Sequence, residues 1–220
     1  NVRRLLFDDM LAGACRKNAN IKFLENNEVI GPLLEGDAVV GVQSSSSKKK
    51  GAVRHAFAKV TVGADGSQSA FAKGVGINPV LKGRFAMNAR AYYKGVAGAK
   101  GLCELYYLKG VCPGYFWIFP VDGGMCNVGI GMRVEDLQRQ GASLEGKMGE
   151  IISSEKFAGR FAGAKKVSQV REWGVSVLAG KRKWSGNGFV LIGDAGTFAM
   201  TFSGEGVGPG DAGDAGVEHV

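Results

Sequence analysis

The sequence has few of the residues that hold metal ions or form disulfides. Among its 220 residues there are two histidines and four cysteines, and the cysteines (Cys15, Cys103, Cys112 and Cys126) show no Cys-x-x-Cys spacing. A zinc site usually needs four closely spaced nitrogen or sulfur ligands, so we expect no metal site. Reduced, largely buried thiols are typical of a cytoplasmic protein.

The sequence also lacks an apolar run long enough to cross a membrane, and it has no apolar signal region at its start. Basic residues exceed acidic ones, giving a formal net charge of +8. They are dispersed and do not alternate with aromatics, which argues against nucleic-acid binding. The positive charge suits nucleotide phosphates or peripheral contact with an anionic membrane. No feature indicates an oligomeric state.

Glycine is abundant, and one glycine-rich segment follows an apolar run. Residues 189–192 are apolar and predict a buried strand, Gly193 allows a tight turn, and Asp194 stands at the carboxyl end of the strand. Ligands of open α/β sheets bind at this end. Ser203 is a candidate N-cap for a helix beginning at Gly204-Glu205-Gly206-Val207, where free N–H groups would face an electron-rich ligand. A buried strand before a Gly-Asp turn is also common in α/β proteins without this role.

A second segment repeats the pattern. The predicted strand 53–62 leads into Gly63, Asp65, Gly66 and a helix start. The Asp65 carboxylate can accept hydrogen bonds from ribose hydroxyls or orient its own loop. The alternative is an ordinary helix N-terminus built from turn residues, but two such turns in one chain indicate a nucleotide site.

Between these segments the pattern changes to short strands separated by turns. Strands are predicted over 84–93, 102–108, 115–120 and 127–132, with no helix between them, which indicates an antiparallel sheet. Tyr115, Trp117 and Phe119 project to one face, either as core or as the wall of a ligand site. Before these strands we predict a helix over 2–18, where Arg4 and Asp8 can pair, and a short strand over 21–25.

Three motifs carry a resemblance to a known family. Gly193-Asp194-Ala195 followed by Phe202-Ser203-Gly204-Glu205-Gly206-Val207 resembles the second flavin motif of the para-hydroxybenzoate-hydroxylase-like FAD enzymes, in its geranylgeranyl reductase version. The segment 63–69 resembles the Gly-Ala-Asp-Gly-x-x-Ser motif of the same superfamily. Tyr115-Phe116-Trp117-Ile118-Phe119-Pro120, followed by Asn-Val-Gly-Ile-Gly, resembles the segment that lines the isoprenoid cavity of geranylgeranyl reductases.

The resemblance implies a fold and a division of the chain. It implies an α/β protein with α+β elements, in which an FAD-binding Rossmann-like domain, its N-terminal part apparently missing, carries an inserted antiparallel β-sheet substrate domain. Residues 1–80 and 181–220 would belong to the FAD-binding domain, and residues 81–180 to the substrate domain.

The resemblance also implies a function. The protein is expected to reduce C=C bonds of an isoprenoid, geranylgeranyl-type lipid with FAD and with NADPH or NADH as reductant. The implied cofactor-binding residues are Arg4, Val29, Asp65, Gly66, Gly193, Asp194, Gly204, Glu205, Gly206 and Val207. The implied substrate-binding residues are Tyr115, Trp117, Phe119 and Pro120. Catalytic residues stay open.

The sequence departs from the family pattern in three places. No G-x-G-x-x-G motif follows a strand near the N-terminus, so the chain alone is expected to bind FAD poorly. Met200-Thr201 stands where the family has proline, and Gly208-Pro209-Gly210 interrupts the expected helix. Two alternatives therefore stay open: an FAD-dependent monooxygenase or halogenase of the same fold, and a cofactor-free fragment or binding module.

Overall fold

The computed structural model describes residues 2–46, 52–78, 80, 83–176, 183–200, 204 and 206. The helices are α1 (Arg4–Lys17), α2 (Ala70–Gly74), α3 (Val134–Arg139), α4 (Leu144–Ser153) and α5 (Glu155–Phe161). The strands are β1 (Asn27–Glu35), β2 (Ala38–Ser46), β3 (Val53–Phe57), β4 (Thr61–Gly63), β5 (Phe85–Lys94), β6 (Glu104–Tyr106), β7 (Tyr115–Val121), β8 (Met125–Arg133), β9 (Lys165–Lys166), β10 (Arg171–Ser176), β11 (Ser185–Gly186) and β12 (Phe189–Leu191). No described helix is both long and apolar enough to span a membrane.

The chain divides into two compact units. One, the sheet unit, contains Asn1–Phe23 and Ala86–Gly174; the other, the two-turn unit, contains Leu24–Phe85 and Val175–Val220. The mixed α/β class predicted from the sequence is confirmed. The Rossmann-like character stays a prediction, and so do the domain ranges 1–80, 81–180 and 181–220, which differ from this division in assigning α1 to the cofactor domain.

The sheet unit is built around a six-stranded sheet with the order β10-β5-β8-β7-β6, and β9 pairs with β5. β5, β8 and β7 pair antiparallel along their lengths, as the sequence predicts. Alternate residues point to opposite faces, and Phe116, Ile118, Val128 and Ile130 are fully buried on one of them. We call this the core face, because it forms one hydrophobic cluster with Leu144, Met148, Phe157 and Phe161 of α4 and α5.

Helix α1 confirms the predicted helix, but none of its residues is buried. Its apolar stripe is exposed, with Leu5 79% and Met10 61% accessible. The residue before it, Arg3, fixes its start: the main-chain N–H and Nε–H donate to the two carboxylate oxygens of Asp122 at 3.0 and 2.8 Å. Those hydrogen bonds lower the pKa of Asp122, the main-chain donor having the larger effect.

The two-turn unit holds two small sheets, an antiparallel one with the order β1-β2-β3 and a mixed one with the order β11-β12-β4. The prediction of a single strand over 53–62 is wrong. β3 pairs antiparallel with β2, whereas β4 pairs parallel with β12. The strand predicted over 21–25 is also wrong, because those residues are not in regular structure. The core of the unit consists of Val39, Phe71, Ala72, Phe189 and Leu191.

Candidate functional site

Two of the predicted cofactor residues follow strands that lie side by side. β4 and β12 pair parallel, with Thr61 opposite Phe189 and Gly63 opposite Leu191. The pairing continues one step further, since the Ile192 N–H donates to the Gly63 carbonyl at 3.0 Å. Asp65 and Asp194 therefore follow the carboxyl ends of adjacent strands, and we call this the aspartate edge. This is the edge at which open α/β sheets bind ligands.

The turn carrying Asp194 depends on Gly193, whose φ of +55° is easily adopted only by glycine. A 3-10 turn spans Gly193–Ala195, and the Phe198 N–H donates to the Gly193 carbonyl at 3.1 Å. Gly206, twelve residues after Asp194 along the chain, lies close to this turn: a Cβ on it would be 3.4 Å from Asp194 Oδ1. The structure therefore brings Gly206 beside the Asp194 carboxylate, as a shared ligand site requires.

The last part of the second flavin motif is only partly described. Gly204 is described, with its N–H donating to the Met200 carbonyl at 2.9 Å. The predicted cofactor residues Glu205 and Val207, and the predicted N-cap Ser203, lie outside the described residues. The helix start expected there is consequently still a prediction.

The Asp65 carboxylate orients its own loop. Ser69 Oγ donates to Asp65 Oδ1, and the Phe71 N–H donates to Asp65 Oδ2 at 3.1 Å. Ser69 Oγ also accepts from the Ala72 N–H at 2.8 Å, which caps α2. Gly66 lies in the same turn with a φ of +82°. The loop-orienting contacts of Asp65 are thus observed, and hydrogen bonds from a ribose stay a prediction.

The described contacts of Arg4 and Val29 lie within their own units. Arg4 Nε donates to Asp8 Oδ1 at 3.0 Å in an exposed pair on α1, which belongs to the sheet unit. Val29 lies half-buried on β1 opposite Ser44, in the two-turn unit. Their roles toward a cofactor are still predictions.

Thr197 is a residue of this loop that sequence reasoning did not select. It is fully buried and has a φ of +62°, which is unusual for a β-branched residue. Its N–H donates to the Asp194 carbonyl at 3.1 Å, so the strained residue closes the turn next to the aspartate edge. A positive φ at a β-branched residue cannot be predicted from the amino-acid pattern.

The predicted substrate residues lie on the six-stranded sheet, three of them on the face opposite the core face. Tyr115, Trp117 and Phe119 form what we call the aromatic face. The Tyr115 and Trp117 rings are 5.8 Å apart, and the Trp117 and Phe119 rings are 6.0 Å apart and nearly parallel. None of the three belongs to the hydrophobic cluster under the helices. Pro120 alternates to the core face, because it pairs with Cys126.

Glycines on β8 make room for the central ring of this face. Gly129 lies opposite Trp117, and a Cβ there would lie 2.2 Å from the indole Cζ2. The indole therefore lies flat against the strand backbone, and its Nε1–H donates to Asn127 Oδ1 at 3.1 Å. A flat, largely apolar surface of this kind can support a hydrocarbon chain.

The Tyr115 phenol beside the indole stays protonated at neutral pH. Burial raises the pKa of Tyr115, and the neighbouring Tyr107 phenol raises it further. The two rings lie 5.9 Å apart. The Tyr115 hydroxyl therefore acts at neutral pH as a neutral hydrogen-bond donor.

Comparison with known proteins places both regions in a wider context. The sequence model of the geranylgeranyl reductase catalytic domain matches residues 86–157, which include the aromatic face. The digeranylgeranylglycerophospholipid reductase of Methanosarcina acetivorans is 32% identical over 212 residues, which cover 94% of this chain and 49% of that protein. The enzyme of the same name from Methanosarcina mazei is 31% identical over 211 residues, with the same coverage. The chain spans about half the length of the curated relatives it matches.

The fold has solved counterparts. A geranylgeranyl bacteriochlorophyll reductase-like protein from Thermoplasma acidophilum superposes with a TM-score of 0.81 at 24% identity, covering 94% of this chain and 50% of that one. A triple mutant of a flavin-dependent brominase superposes with a TM-score of 0.78 at 23% identity, covering 99% and 56%. The sequence model and both of the Methanosarcina relatives are geranylgeranyl-type reductases, and the chain is similar to that family over most of its length.

Proposed function

We propose that the protein is an FAD-dependent oxidoreductase that reduces C=C bonds of an isoprenoid, geranylgeranyl-type lipid. The observation that carries the proposal is the parallel pairing of β4 with β12, which brings Asp65 and Asp194 to one edge from distant parts of the sequence. The similarity to digeranylgeranylglycerophospholipid reductases supports the choice of substrate.

The residues at the aspartate edge fit a flavin nucleotide. Space is open above Gly193, where a Cβ would meet nothing within 4 Å, and Gly206 lies beside the Asp194 carboxylate, where a Cβ would come to 3.4 Å from Oδ1. Asp194 would accept hydrogen bonds from ribityl or ribose hydroxyls, and Asp65 would hold its loop in place. FAD, when bound and reduced, supplies hydride. The helix start predicted at Gly204 would stabilise negative charge on the reduced ring.

The aromatic face would bind the hydrocarbon substrate. Burial of each methylene stabilises the complex by about 0.8 kcal/mol, so a long chain gains considerable affinity without a polar contact. The indole of Trp117 would lie against one side of the chain, with Tyr115 and Phe119 extending the surface. This arrangement excludes water from the double bond that reacts.

Electron balance requires a reductant. Saturation of each C=C bond takes up two electrons and two protons, and we propose a reduced pyridine nucleotide, NADPH or NADH, as the electron source. The positive net charge of the chain favours contact with its phosphates. The proton source stays unassigned.

The test uses the full-length protein. Its absorption spectrum should show bound flavin, and anaerobic incubation with NADPH or NADH and a tetraprenyl lipid should give products that mass spectrometry shows to have gained hydrogen. Asp194→Asn should lower the flavin content, because a charged acceptor is lost. Asp37→Asn, on an exposed loop of the same unit, is the matched control. Flavin content unaffected by Asp194→Asn contradicts the assigned cofactor site.

A second candidate keeps the fold and changes the chemistry. The structural likeness to a flavin-dependent brominase favours an oxygen-using monooxygenase or halogenase. Product analysis under air with bromide separates the two, since incorporation of oxygen or bromine excludes the reductase.

We also propose that the protein meets its lipid at a membrane surface, by peripheral contact. The net charge of +8 supports attraction to anionic lipid. Co-sedimentation of the full-length protein with phosphatidylglycerol vesicles, compared with phosphatidylcholine vesicles, tests it. Equal binding to both contradicts the electrostatic contribution.

A further inference from the structure

The orientation of Trp117 is set by three positions on the neighbouring strand. The indole extends along β8, with Nε1 toward Asn127, Cζ2 above Gly129 and Cζ3 at 3.8 Å from a Cβ built on Gly131. The Trp117 residue is only 8% exposed although it lies outside the helix-covered cluster. The orientation of the Trp117 ring relative to β8 therefore determines the shape of the central part of the aromatic face.

The hydrogen bond to Asn127 distinguishes between orientations of the indole. Gly129 permits the ring to lie flat, but it does not decide which edge of the ring faces which end of the strand. A buried indole N–H needs an acceptor, and Asn127 Oδ1 provides one at 3.1 Å. A ring rotated about Cβ–Cγ would lose this acceptor.

We infer that Asn127 is a positioning residue that acts through Trp117 and sets which double bond of the isoprenoid is presented for reduction. The double bonds of a polyprenyl chain recur at regular intervals. A change in the orientation of the Trp117 indole would therefore shift the bound chain by part of one interval. This inference rests on the proposed function. It adds a residue that determines which bonds react and how completely the chain is reduced.

The first test measures the indole directly, without turnover. In full-length protein in which the other tryptophans, including Trp173 and Trp184, are replaced by phenylalanine, Trp117 fluorescence reports the ring environment. Asn127→Leu is close in size and removes the acceptor, so its emission should shift and acrylamide quenching should increase. Asn127→Asp keeps an acceptor oxygen and should retain the wild-type spectrum.

The second test measures product distribution with a tetraprenyl lipid. Asn127→Leu should lower kcat/KM by about tenfold to a hundredfold, as displacements near 1 Å do, and should increase the fraction of partly reduced products. Asn127→Asp should restore the wild-type distribution. Gln138→Leu, which makes the same change from amide to leucine at an exposed position on α3 of the same unit, is the matched control and should keep the wild-type distribution.

A double-mutant cycle separates positioning from a general effect on folding. In a Trp117→Phe background no indole N–H exists, so Asn127→Leu should change the product distribution no further. Flavin content and thermal unfolding verify that each variant folds. If Asn127→Leu alone fails to fold, the same comparison is made with Asn127→Ala.

The outcomes are distinct. Wild-type emission and wild-type products in a folded Asn127→Leu variant overturn the inference, and so does an equal effect of Asn127→Leu with and without the indole. If the wild-type protein reduces no isoprenoid, the proposed function fails. The fluorescence comparison still decides whether Asn127 holds Trp117.

Discussion

The two units use side-chain volume in opposite ways. In the sheet unit, large side chains of adjacent strands interdigitate on the core face, where Phe116, Ile118 and Ile130 are fully buried under α4 and α5. In the two-turn unit, the tightest contacts occur where a side chain is missing. A Cβ on Gly63 would lie 2.6 Å from Phe71 and 2.7 Å from Leu191, and one on Gly188 would lie 2.1 Å from the Val39 carbonyl.

The difference shows what glycine indicates in this chain. In the sheet unit, Gly129 and Gly131 point to the aromatic face, whereas the core-face positions of β7 and β8 hold no glycine. Glycine therefore marks close approaches to the backbone, by the Trp117 indole at Gly129, by core side chains at Gly63 and by a main-chain carbonyl at Gly188. Large aliphatic residues accompany the faces that only stabilise the fold.

The largest expected effect tests the core face. Phe116→Ala should lower the free energy of unfolding by about 3–5 kcal/mol, because it leaves a cavity among residues that cannot collapse into it. Urea denaturation measures the change. Phe119→Ala removes the same atoms from the half-buried aromatic face and should cost clearly less. Equal losses would remove the distinction between the two faces.

The next effect tests the opposite use of volume in the two-turn unit. Gly63→Val should destabilise the protein by about 1–3 kcal/mol, because the new side chain overlaps Phe71 and Leu191. Gly31→Val is the control, since a Cβ at this β-strand position meets nothing within 4 Å. Thermal unfolding of both variants measures the difference. A Gly63→Val variant as stable as the wild type would show that a valine side chain fits beside Phe71 and Leu191.

A smaller effect tests the polar edge of the sheet unit. Arg160 donates two hydrogen bonds to the Glu104 carboxylate, at 2.6 and 2.8 Å, and a third to the Tyr106 hydroxyl. The hydrogen bond from Arg160 is the main cause that lowers the pKa of Glu104 below its ordinary 4.5. Both charged side chains are about three-quarters buried, so Glu104→Gln should cost roughly 1–2 kcal/mol at neutral pH.

The same pair predicts a pH dependence. A carboxyl whose folded pKa is lowered stabilises the protein fully above its unfolded pKa, and the contribution is lost as the pH falls through the folded value. The wild type should therefore lose stability more steeply than Glu104→Gln below about pH 4.5. Urea unfolding between neutral and acidic pH measures both slopes. Glu150→Gln, which removes an exposed carboxylate, should follow the wild type.

Much of the fold could be predicted because short patterns specify it. Alternation along 115–120 and 127–132 assigns side chains to two faces before any strand is paired, and the glycine-aspartate turns mark strand ends. What the alternation could not show is which face the helices cover, since aromatic residues occur on both.

The remainder depends on distant pairing. The segment 53–62 contains no glycine, proline or other turn signal that would end a strand, and it divides because Thr61–Gly63 pair parallel with Phe189–Leu191. Thr197 and the Glu104–Arg160 pair were missed for the same reason: the first is defined by a backbone angle and the second by contact across the fold. Neither has a sequence pattern.

The smallest expected effect concerns α1, which the contacts group with the sheet unit although the resemblance assigns Arg4 to the cofactor. The Arg4–Asp8 pair is exposed, with two-thirds of the Arg4 side chain accessible, so Arg4→Gln and Asp8→Asn should each change stability by about 0.3 kcal/mol or less. Flavin content of the full-length variants then separates the two interpretations. A loss with Arg4→Gln and none with Asp8→Asn assigns the guanidinium to the nucleotide, because a surface ion pair depends equally on both partners. If the flavin content is unchanged in both variants, Arg4 is a surface charge with no role toward the cofactor. The cofactor assignment then rests on the aspartate edge alone.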